Sequence, residues 1–383
     1  MLPFSYAIRN LFRSKARLLQ TVGGSALVVL LIMTATAVND GMKRVLAASG
    51  SPHNVILVGA GSEESIQRSE VAEISSGIAS TSIPGISEHL GMRAVSGEIH
   101  YMNYIALPDG HRAQALLRGV GPEALSVHPE VRLVEGSFPS SGQVMVGRLA
   151  WRKLGVPAES LGIGRTIHLD GQDLTISGIF AAPATVMESE IWAPLGDLRV
   201  LAKRDTLSCV VLRLNDPDDF AEAELFSKQR LDLELSALRE SDYYDRLTAF
   251  FRPLRAMTWI TAGLIAAGAI FGGINTLYAA FASRVREMAT LQAIGFGRGT
   301  LLLSLIQEST LSCLMGTLVA SIAALALLEG RVVPFSIGAF VLEVSPHVAL
   351  VGIITGLLLG LIGALPPAIR CLKPPLPTAL RSS

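Results

Sequence analysis

Four long apolar stretches and one large mixed segment make up the chain. The apolar stretches lie at residues 18–38, 254–283, 299–328 and 347–369. Each reaches the roughly 20 apolar residues that a helix needs to cross the hydrocarbon core of a bilayer. Hydrophobic residues make up 50% of the chain and charged residues 17%, a composition that is rare for a soluble domain. The pattern predicts an α-helical membrane protein with four transmembrane helices, one before and three after segment 39–253 (1+3).

The basic residues indicate which parts face the cytoplasm. The N-terminal segment 1–17, the connection 284–298 and the tail 370–383 together hold ten Lys and Arg against one acidic residue, whereas segment 39–253 holds 20 Lys and Arg against 28 Asp and Glu. Basic flanks of membrane spans stay in the cytoplasm. We therefore predict a multi-pass protein of the cell (inner) membrane, with both termini and the connection 284–298 in the cytoplasm. Segment 39–253 and loop 329–346 are then outside, and no basic excess there argues for a nucleic-acid partner.

The first 17 residues predict a cytoplasmic amphipathic helix at the membrane interface. Its apolar face is formed by Phe4, Ile8, Leu11 and Phe12. A basic flank without defined structure is the alternative. Span 18–38 could also be a cleaved signal peptide, because Ala35-Thr36-Ala37 resembles a cleavage site. Its apolar run is longer than the about 7–15 residues of a signal peptide's apolar region, so a membrane span is the better prediction.

Segment 39–253 predicts an α+β extracytoplasmic domain of two lobes, one of them inserted near residues 108–185. Strand-like stretches lie at residues 54–58, 142–149, 166–169, 174–180, 190–195 and 209–214. The glycine turn around Gly171 joins two of these stretches into a β-hairpin. Residues 221–239 predict a single helix, with Leu225, Leu231 and Leu235 on its apolar side.

No motif in the sequence predicts catalysis, nucleotide binding or a metal site. The glycines Gly59 and Gly61 follow a strand, but Glu64 stands where a dinucleotide fingerprint has its third glycine. The sequence has no phosphate-binding P-loop, no Gly-x-Ser-x-Gly elbow and no close pair of His or Cys residues. We predict no catalytic residue, no metal ligand and no cofactor in this chain.

The connection between the second and third spans carries the most informative polar residues. A charged turn cannot lie in hydrocarbon, so it sits at one membrane face, where a soluble partner can reach it. The turn resembles the FtsX/MacB-type permease family of ABC transporters. That family has an Asn, a few apolar residues, Arg-x-Arg-Glu-Ile, and then Ala-hydrophobic-Gly before the next span. The matching residues here are Asn275, Arg284, Arg286, Glu287, Met288, Ala293, Ile294 and Gly295, followed by Pro366-Pro367-Ala368 and Ala379-Leu380-Arg381 near the C-terminus. Met288-Ala289 departs from the commoner Ile-Gly.

The resemblance implies that residues 284–298 form a coupling helix that fits a groove on a separate cytoplasmic ABC ATPase, which would bind ATP and Mg. The residues implied in this coupling are Arg284, Arg286, Glu287, Met288, Leu291, Ile294, Gly295 and Arg298. Asn275 and Glu308 are intramembrane or interfacial candidates. Glu308 either pairs with Arg284 or Arg286, or is a functional carboxylate within the membrane.

Glycines at small-x-x-x-small spacing permit close helix contact, either within the chain or with a second copy. They are Gly268, Gly272, Gly352, Gly356 and Gly360. The resemblance implies a homodimer, or a heterodimer with a related permease.

The resemblance further implies that segment 39–253 is a MacB-like periplasmic core domain. The expected function is a permease subunit that couples ATP hydrolysis by its partner to movement of this domain, for export (efflux) or extraction of lipophilic, peptide or lipoprotein cargo. A periplasmic adaptor, an outer-membrane channel and membrane lipid are further candidate partners. The alternative is a non-transporting mechanotransducer that activates an extracytoplasmic cell-wall hydrolase. The large external domain favours the first function.

Overall fold

Twelve α-helices occur in the residues that the structure, a computed structural model, describes: 4–89, 91–107, 110–375 and 379. In chain order they are α1 (Phe4–Leu11), α2 (Lys15–Ser49), α3 (Ile74–Ser82), α4 (Ala124–Val127), α5 (Ala150–Leu154), α6 (Leu195–Leu201), α7 (Phe220–Gln229), α8 (Glu240–Phe250), α9 (Arg252–Ala282), α10 (Val285–Ala293), α11 (Arg298–Leu327) and α12 (Pro346–Cys371). Four helical stretches are long and apolar enough to cross a membrane: Leu18–Ser49, Glu240–Ala282, Arg298–Leu327 and Pro346–Cys371.

The contacts divide the chain into two compact units. The first holds Met1–Asp40, Pro253–Arg331 and Leu342–Ser383, which include the apolar parts of the four long helices. The second holds Gly41–Arg252 and Val332–Val341. The helix predicted over residues 1–17 is interrupted, because α1 ends at Leu11 and α2 begins at Lys15.

Within the first unit, α11 and α12 pack against each other closely. A Cβ on Gly356 would lie 1.9 Å from Oγ1 of Thr317, and one on Gly360 would lie 2.6 Å from Cα of Thr310. Glycine therefore allows these backbones to approach. By contrast, the most apolar part of the helical stretch Glu240–Ala282 is almost entirely exposed, with only 6% of its residues buried inside the chain.

The second unit is built on a sheet of ten strands. All strands of the described residues are β1 (Asn54–Gly59), β2 (Glu88–His89), β3 (Met92–Arg93), β4 (Val95–Ala106), β5 (Arg112–Val120), β6 (Arg132–Gly136), β7 (Gln143–Gly147), β8 (Thr166–Leu169), β9 (Gln172–Ala181), β10 (Ile191–Pro194), β11 (Cys209–Arg213), β12 (Leu235–Arg239), β13 (Val332–Phe335) and β14 (Gly338–Val341). The order in the sheet is β12-β1-β11-β4-β5-β10-β7-β9-β6, and β8 pairs with β4 and β9. β8 and β9 form the predicted hairpin around Gly171, in antiparallel register.

β4 is shared by the two halves of this sheet. Its first residues pair with β11, for example Glu98 with Cys209, and its later residues pair with β5, for example His100 with Arg118. One buried apolar cluster includes residues from both halves, such as Leu57 of β1 and Val146 of β7. The α+β character is as predicted, and the two predicted lobes are not confirmed.

Two parts of the second unit differ from the sequence prediction. β4 and β5, the central strands, were not predicted, because polar residues interrupt their apolar alternation. The helix predicted over 221–239 ends at Gln229, and residues Leu235–Arg239 form β12 instead. The chain reverses at Glu234, whose φ is +48°, and β12 then pairs with β1. Pairing to an existing sheet outweighs local helix propensity here.

The loop predicted at residues 329–346 contains the hairpin β13–β14, which belongs to the second unit. Its Phe335 ring lies 5.9 Å from those of both Phe340 and Phe251, measured between centroids. A Cβ on Gly41 would fall 2.5 Å from the Phe340 ring. The Lys153 ammonium donates to the carbonyl of Phe335. The hairpin therefore packs on segments that directly follow α2's apolar part and directly precede α9.

Candidate functional site

The charged turn between α9 and α11 is a short helix with a defined start and end. The amide of Arg284 donates to the carbonyl of Phe281 at 3.0 Å, which closes the turn after α9. α10 ends before Gly295, whose φ of +107° is a conformation that side chains other than glycine rarely adopt. The amide of Gly295 donates to the carbonyl of Gln292 at 3.0 Å. The family pattern thus specifies both ends of α10.

One face of this turn points into the chain. Arg284 is 9% exposed and Met288 is 2% exposed. Nη1 of Arg284 donates to Oε2 of Glu308 at 2.8 Å, and its Nε donates to Oε2 of Glu287 at 3.2 Å. Of the two roles considered for Glu308, the geometry supports pairing with Arg284. The resulting pair is buried, because Glu308 is only 6% exposed.

Glu287 also binds residues near the N-terminus. The hydroxyl of Tyr6 donates to its Oε1 at 2.8 Å, and Nη1 of Arg13 lies 3.5 Å from its Oε2. Burial alone would raise the pKa of Glu287, but the hydrogen bond from Tyr6 and the charge of Arg284 outweigh it and hold the pKa below its ordinary value. Glu287 is therefore a carboxylate at neutral pH.

The opposite face of the turn is exposed. Ile294 is 71% exposed; Arg286, Thr290, Gly295 and Arg298 are exposed as well, and Leu291 is half-buried. Arg284 and Met288 lie on the inward face and contact other residues of the chain, and their expected contact with a partner stays a prediction. Their spacing with Leu291, at i, i+4 and i+7, is the sequence signal of an inward helical face, and it could have indicated this orientation.

The other predicted membrane residues separate into two groups. Asn275 is exposed and lines an open cavity of about 550 Å³ with Tyr278, Pro367 and Arg370. A Cβ on Gly268 or Gly272 would meet nothing within 4 Å, whereas Gly352, Gly356 and Gly360 are in close contact with side chains or backbone of α2 and α11. Of the predicted C-terminal motif Ala379-Leu380-Arg381, Leu380 and Arg381 lie outside the described residues, as does the side chain of Phe4.

A second cluster of polar residues, which the sequence did not reveal, lies inside the second unit. Arg118 of β5 donates from Nε and Nη2 to the two oxygens of Glu190 at 2.7 and 2.8 Å, and from Nη1 to Glu98 of β4 at 2.8 Å. Nε2 of His128 lies 3.0 Å from the other Glu98 oxygen. The indole of Trp192 donates to Glu190 at 2.9 Å. All five side chains are at most 3% exposed.

The charges in this buried cluster balance. Burial alone would lower the pKa of His128, but the charge of Glu98 and the Glu130 carboxylate, 3.6 Å from Nδ1 of His128, raise it to about 10. Burial would likewise raise the pKa of Glu98, but Arg118 and His128 hold it well below its usual range. Two carboxylates, Glu98 and Glu190, therefore face two cations, Arg118 and His128. A buried cluster that is neutral in total avoids the cost of an uncompensated charge.

Glu98 of this cluster also belongs to a group of three side chains of the types that bind metal ions. It is the one such group found in the described residues. Donor atoms of Glu98, His100 and Cys209 lie within 4.8 Å of one another. The guanidinium of Arg118 already lies 2.8 Å from Glu98, so it supplies the positive charge that a metal ion would bring. Burial and the nearby Arg118 charge also lower the pKa of His100. This chemistry is that of an ion-pair network rather than a metal site.

Glu240 joins the chain leaving α2 to the chain entering α8. Its Oε2 accepts from the amide of Ser51 and from Nδ2 of Asn54, each at 3.0 Å. Asn54 also donates to the carbonyl of Val127, next to His128. Burial raises the pKa of Glu240 to about 7. The first residue of α8 is thus tied to the two segments that flank the buried cluster.

Comparison with known proteins agrees with the architecture. The family of MacB-like periplasmic core domains matches residues 18–225, and the family of FtsX-like permease C-terminal regions matches residues 259–376. The periplasmic region of MacB from Actinobacillus actinomycetemcomitans is similar in structure, with 11% identity, a TM-score of 0.39, and coverage of 52% of this chain and 94% of that one. The extracellular domain of the noncanonic ABC-type transporter YknZ from Gram-positive bacteria is also similar in structure. Its identity is 12% and its TM-score 0.37, with coverage of 48% of this chain and 99% of that one. Curated proteins gave no match.

Proposed function

The chain belongs to the FtsX/MacB-like family of ABC-transporter permeases, and on this premise we propose that it couples ATP hydrolysis by a separate ATPase to movement of its second unit outside the membrane. Membership makes it a multi-pass membrane permease subunit and implies a cytoplasmic ATPase partner and oligomerisation. The coupling mechanism, the cargo and the orientation in the cell (inner) membrane, with both termini in the cytoplasm, are parts of the proposal.

The observation that carries the proposal is the exposed face of α10. Ile294 is an apolar side chain that is 71% exposed, and Arg286 in the first turn of α10 and Arg298 at the start of α11 are exposed as well. An apolar centre with charged residues at its rim is the arrangement of a protein interface. We therefore assign the docking of the ATPase to Arg286, Ile294 and Arg298, with Leu291 at the edge.

Three connections could carry the movement from the spans to the second unit. α2 enters the second unit at Gly41, the chain returns to α9 through Phe251, and the hairpin β13–β14 lies in the connection between α11 and α12. Phe335 and Phe340 of this hairpin pack against Phe251 and Gly41. Because residues of these connections pack together within the second unit, a displacement that reaches one connection would be passed to the others.

A second copy of the chain is proposed to cover α9. That helix buries few residues within its own chain, and its Gly268 and Gly272 have open space beside them. Gly272 borders a cavity lined also by residues of α2, α11 and α12, so Gly268 is the small residue suited to close contact with another helix. The same face could instead contact lipid, so cross-linking at Gly268 distinguishes a dimer from a lipid-facing helix.

The cargo is proposed to be lipophilic, peptide-like or a lipoprotein, handled outside the membrane or extracted from its outer leaflet. In the residues that the structure describes, the four spans contain few polar side chains. They therefore offer little path for a hydrophilic solute. A periplasmic adaptor and an outer-membrane channel are candidate partners of the external unit. Activation of a cell-wall hydrolase, the alternative function, would need a different external partner.

Purification of the tagged chain from its native membranes tests this function. We expect an ABC ATPase to co-purify with the wild type and to be lost, by at least tenfold, with Ile294→Asp, because a charge would replace the apolar centre of the interface. Val200→Asp is the matched control, since Val200 is 69% exposed in the second unit and should not affect the ATPase. Equal ATPase recovery with both variants, or no ATPase with the wild type, would contradict the proposal. A co-purifying hydrolase without cargo movement would favour the alternative.

A further inference from the structure

The N-terminal helix α1 is joined to α10 by a hydrogen bond between residues that are 281 positions apart. The hydroxyl of Tyr6 donates to Oε1 of Glu287 at 2.8 Å. Arg13, just after α1, adds an ion pair to the other oxygen of Glu287 at 3.5 Å. Since Arg13 is 71% exposed, screening by solvent makes that pair weak. The Tyr6 hydrogen bond, which reaches a charged acceptor in a partly buried place, is the stronger of the two contacts.

Glu287 is also connected to α11. The same Arg284 that donates to Glu287 at 3.2 Å donates to Glu308 of α11 at 2.8 Å. A continuous path of charged hydrogen bonds therefore runs from α1 through α10 to α11. Glu287 lies in the first turn of α10, where a negative charge also favours the helix dipole. Both oxygens of Glu287 are used within the chain, Oε1 by Tyr6 and Oε2 by Arg284 and Arg13.

The packing of α1 supports the same arrangement. Leu11 is 4% exposed and Asn10 is 7% exposed, so the end of α1 is held against the first unit. Leu11 and Glu308 border the same small cavity. On the other side of the turn, Phe12 is 57% exposed and Ile8 is 40% exposed. One side of α1 is therefore fixed by the chain while the other is free to contact lipid headgroups and chains.

We propose that α1 is a clamp that holds α10 in its docking orientation, with Tyr6 and Glu287 as positioning residues. Glu287, although part of the family's Arg-x-Arg-Glu pattern, acts within the chain and does not contact the ATPase. When the clamp opens, α10 keeps its contacts with α11 through Arg284 and through the apolar packing of Met288 against Leu301 and Leu305. The effect on the ATPase rests on the proposed function, whereas the clamp itself does not.

Hydrogen exchange of the full chain in lipid nanodiscs, without any ATPase, tests the clamp. A hydrogen bond to a charged group corresponds to about tenfold to hundredfold in an opening equilibrium. Tyr6→Phe and Glu287→Gln should each accelerate amide exchange in α1 and in α10 by that factor. The double variant should show no more acceleration than the larger single effect, because both substitutions remove one interaction. Thr290→Val is the control, since its hydroxyl donates only to the carbonyl of Arg286 within α10, and it should leave α1 unchanged.

Unchanged exchange in α1 with both single variants, or fully additive effects, would overturn the clamp. A second readout uses the complex with the co-purified ATPase. Glu287→Gln should retain the ATPase to within about twofold, and it should lower kcat for ATP hydrolysis severalfold without changing KM for ATP, because the nucleotide site is on the partner. Faster exchange with an unchanged kcat would reduce α1 to a structural contact and would also overturn the proposal. If no ATPase binds the wild type, the proposed function fails, and the exchange experiment still decides the clamp.

Discussion

Replacing Arg118 by Met is the sharpest test of how the second unit is stabilised. The substitution keeps an unbranched side chain of similar length and removes the cation that touches both Glu98 and Glu190. Both carboxylates are at most 1% exposed, so neither can be rehydrated without local opening. His128 would then be the only cation left to balance two buried negative charges.

The expected loss can be estimated from the buried pairing. Removal of one partner of a buried ion pair costs about 3–5 kcal/mol. For a domain of this size, 1 kcal/mol corresponds to roughly 2–4 °C in Tm, so Tm of the second unit should fall by roughly 6–20 °C. The Arg118→Met/Glu190→Gln double variant should recover part of this loss, because it removes one of the two unpaired charges.

Intrinsic fluorescence during a thermal ramp is a suitable assay. Trp192 is fully buried and its indole donates to Glu190, so its emission reports the state of the cluster. Lys228→Met is the control: Lys228 pairs with Glu224 at 2.7 Å, but the two side chains are 68% and 45% exposed, and such pairs contribute about 1 kcal/mol or less. If Arg118→Met and Lys228→Met shift Tm equally, the reasoning about the buried cluster is refuted.

Three further predictions follow from the same structure. The pKa of His128 is raised to about 10 in the folded protein, against about 6.5 when the chain is unfolded. The contribution of His128 to the free energy of unfolding is therefore complete below pH 6.5 and is lost as pH rises through 10. Denaturant midpoints should fall from pH 7 to 10, and His128→Asn should flatten that decline. Burial raises the pKa of Glu240 to about 7, and a neutral amide avoids the cost of ionising a buried carboxyl at pH 8. Glu240→Gln should therefore raise the free energy of unfolding at pH 8 by about 1–3 kcal/mol. A decrease of more than about 1 kcal/mol in the same denaturant titration would count against this. Gly356→Ala should lower thermal stability by about 1–3 kcal/mol through overpacking against Thr317, whereas Gly272→Ala, with open space beside it, should be neutral in the same detergent melt.

Hydropathy, basic flanks and a local motif were sufficient to predict the membrane class and the family. These features depend on single segments: about 20 apolar residues identify a span, and Gly171 between two alternating stretches identifies the β8–β9 hairpin. The motif Arg284–Gly295 is likewise local. Nothing about the rest of the fold is needed to recognise any of them.

Features that depend on distant pairing could not be predicted in the same way. Glu98 and His100 interrupt the apolar pattern of β4 in the sequence. The Arg118 guanidinium, which balances the charge of Glu98, is on another strand, β5. The sequence of Leu235–Arg239 predicts a helix, but the segment forms a strand because it pairs with β1. The direction of Arg284 depends on Glu308, 24 residues later, and that of Glu287 depends on Tyr6. In each case a charge or strand is satisfied by a partner whose location only the tertiary fold provides.

Photocross-linking from position 294 in native membranes tests the central claim most directly. With benzoyl-phenylalanine in place of Ile294, we expect one dominant adduct, to a soluble chain that carries a P-loop, whereas the same group at Val200 should give no such adduct. An adduct at position 294 to a protein outside the cytoplasm, or to lipid alone, would contradict the assignment of α10 as the docking surface for an ATPase.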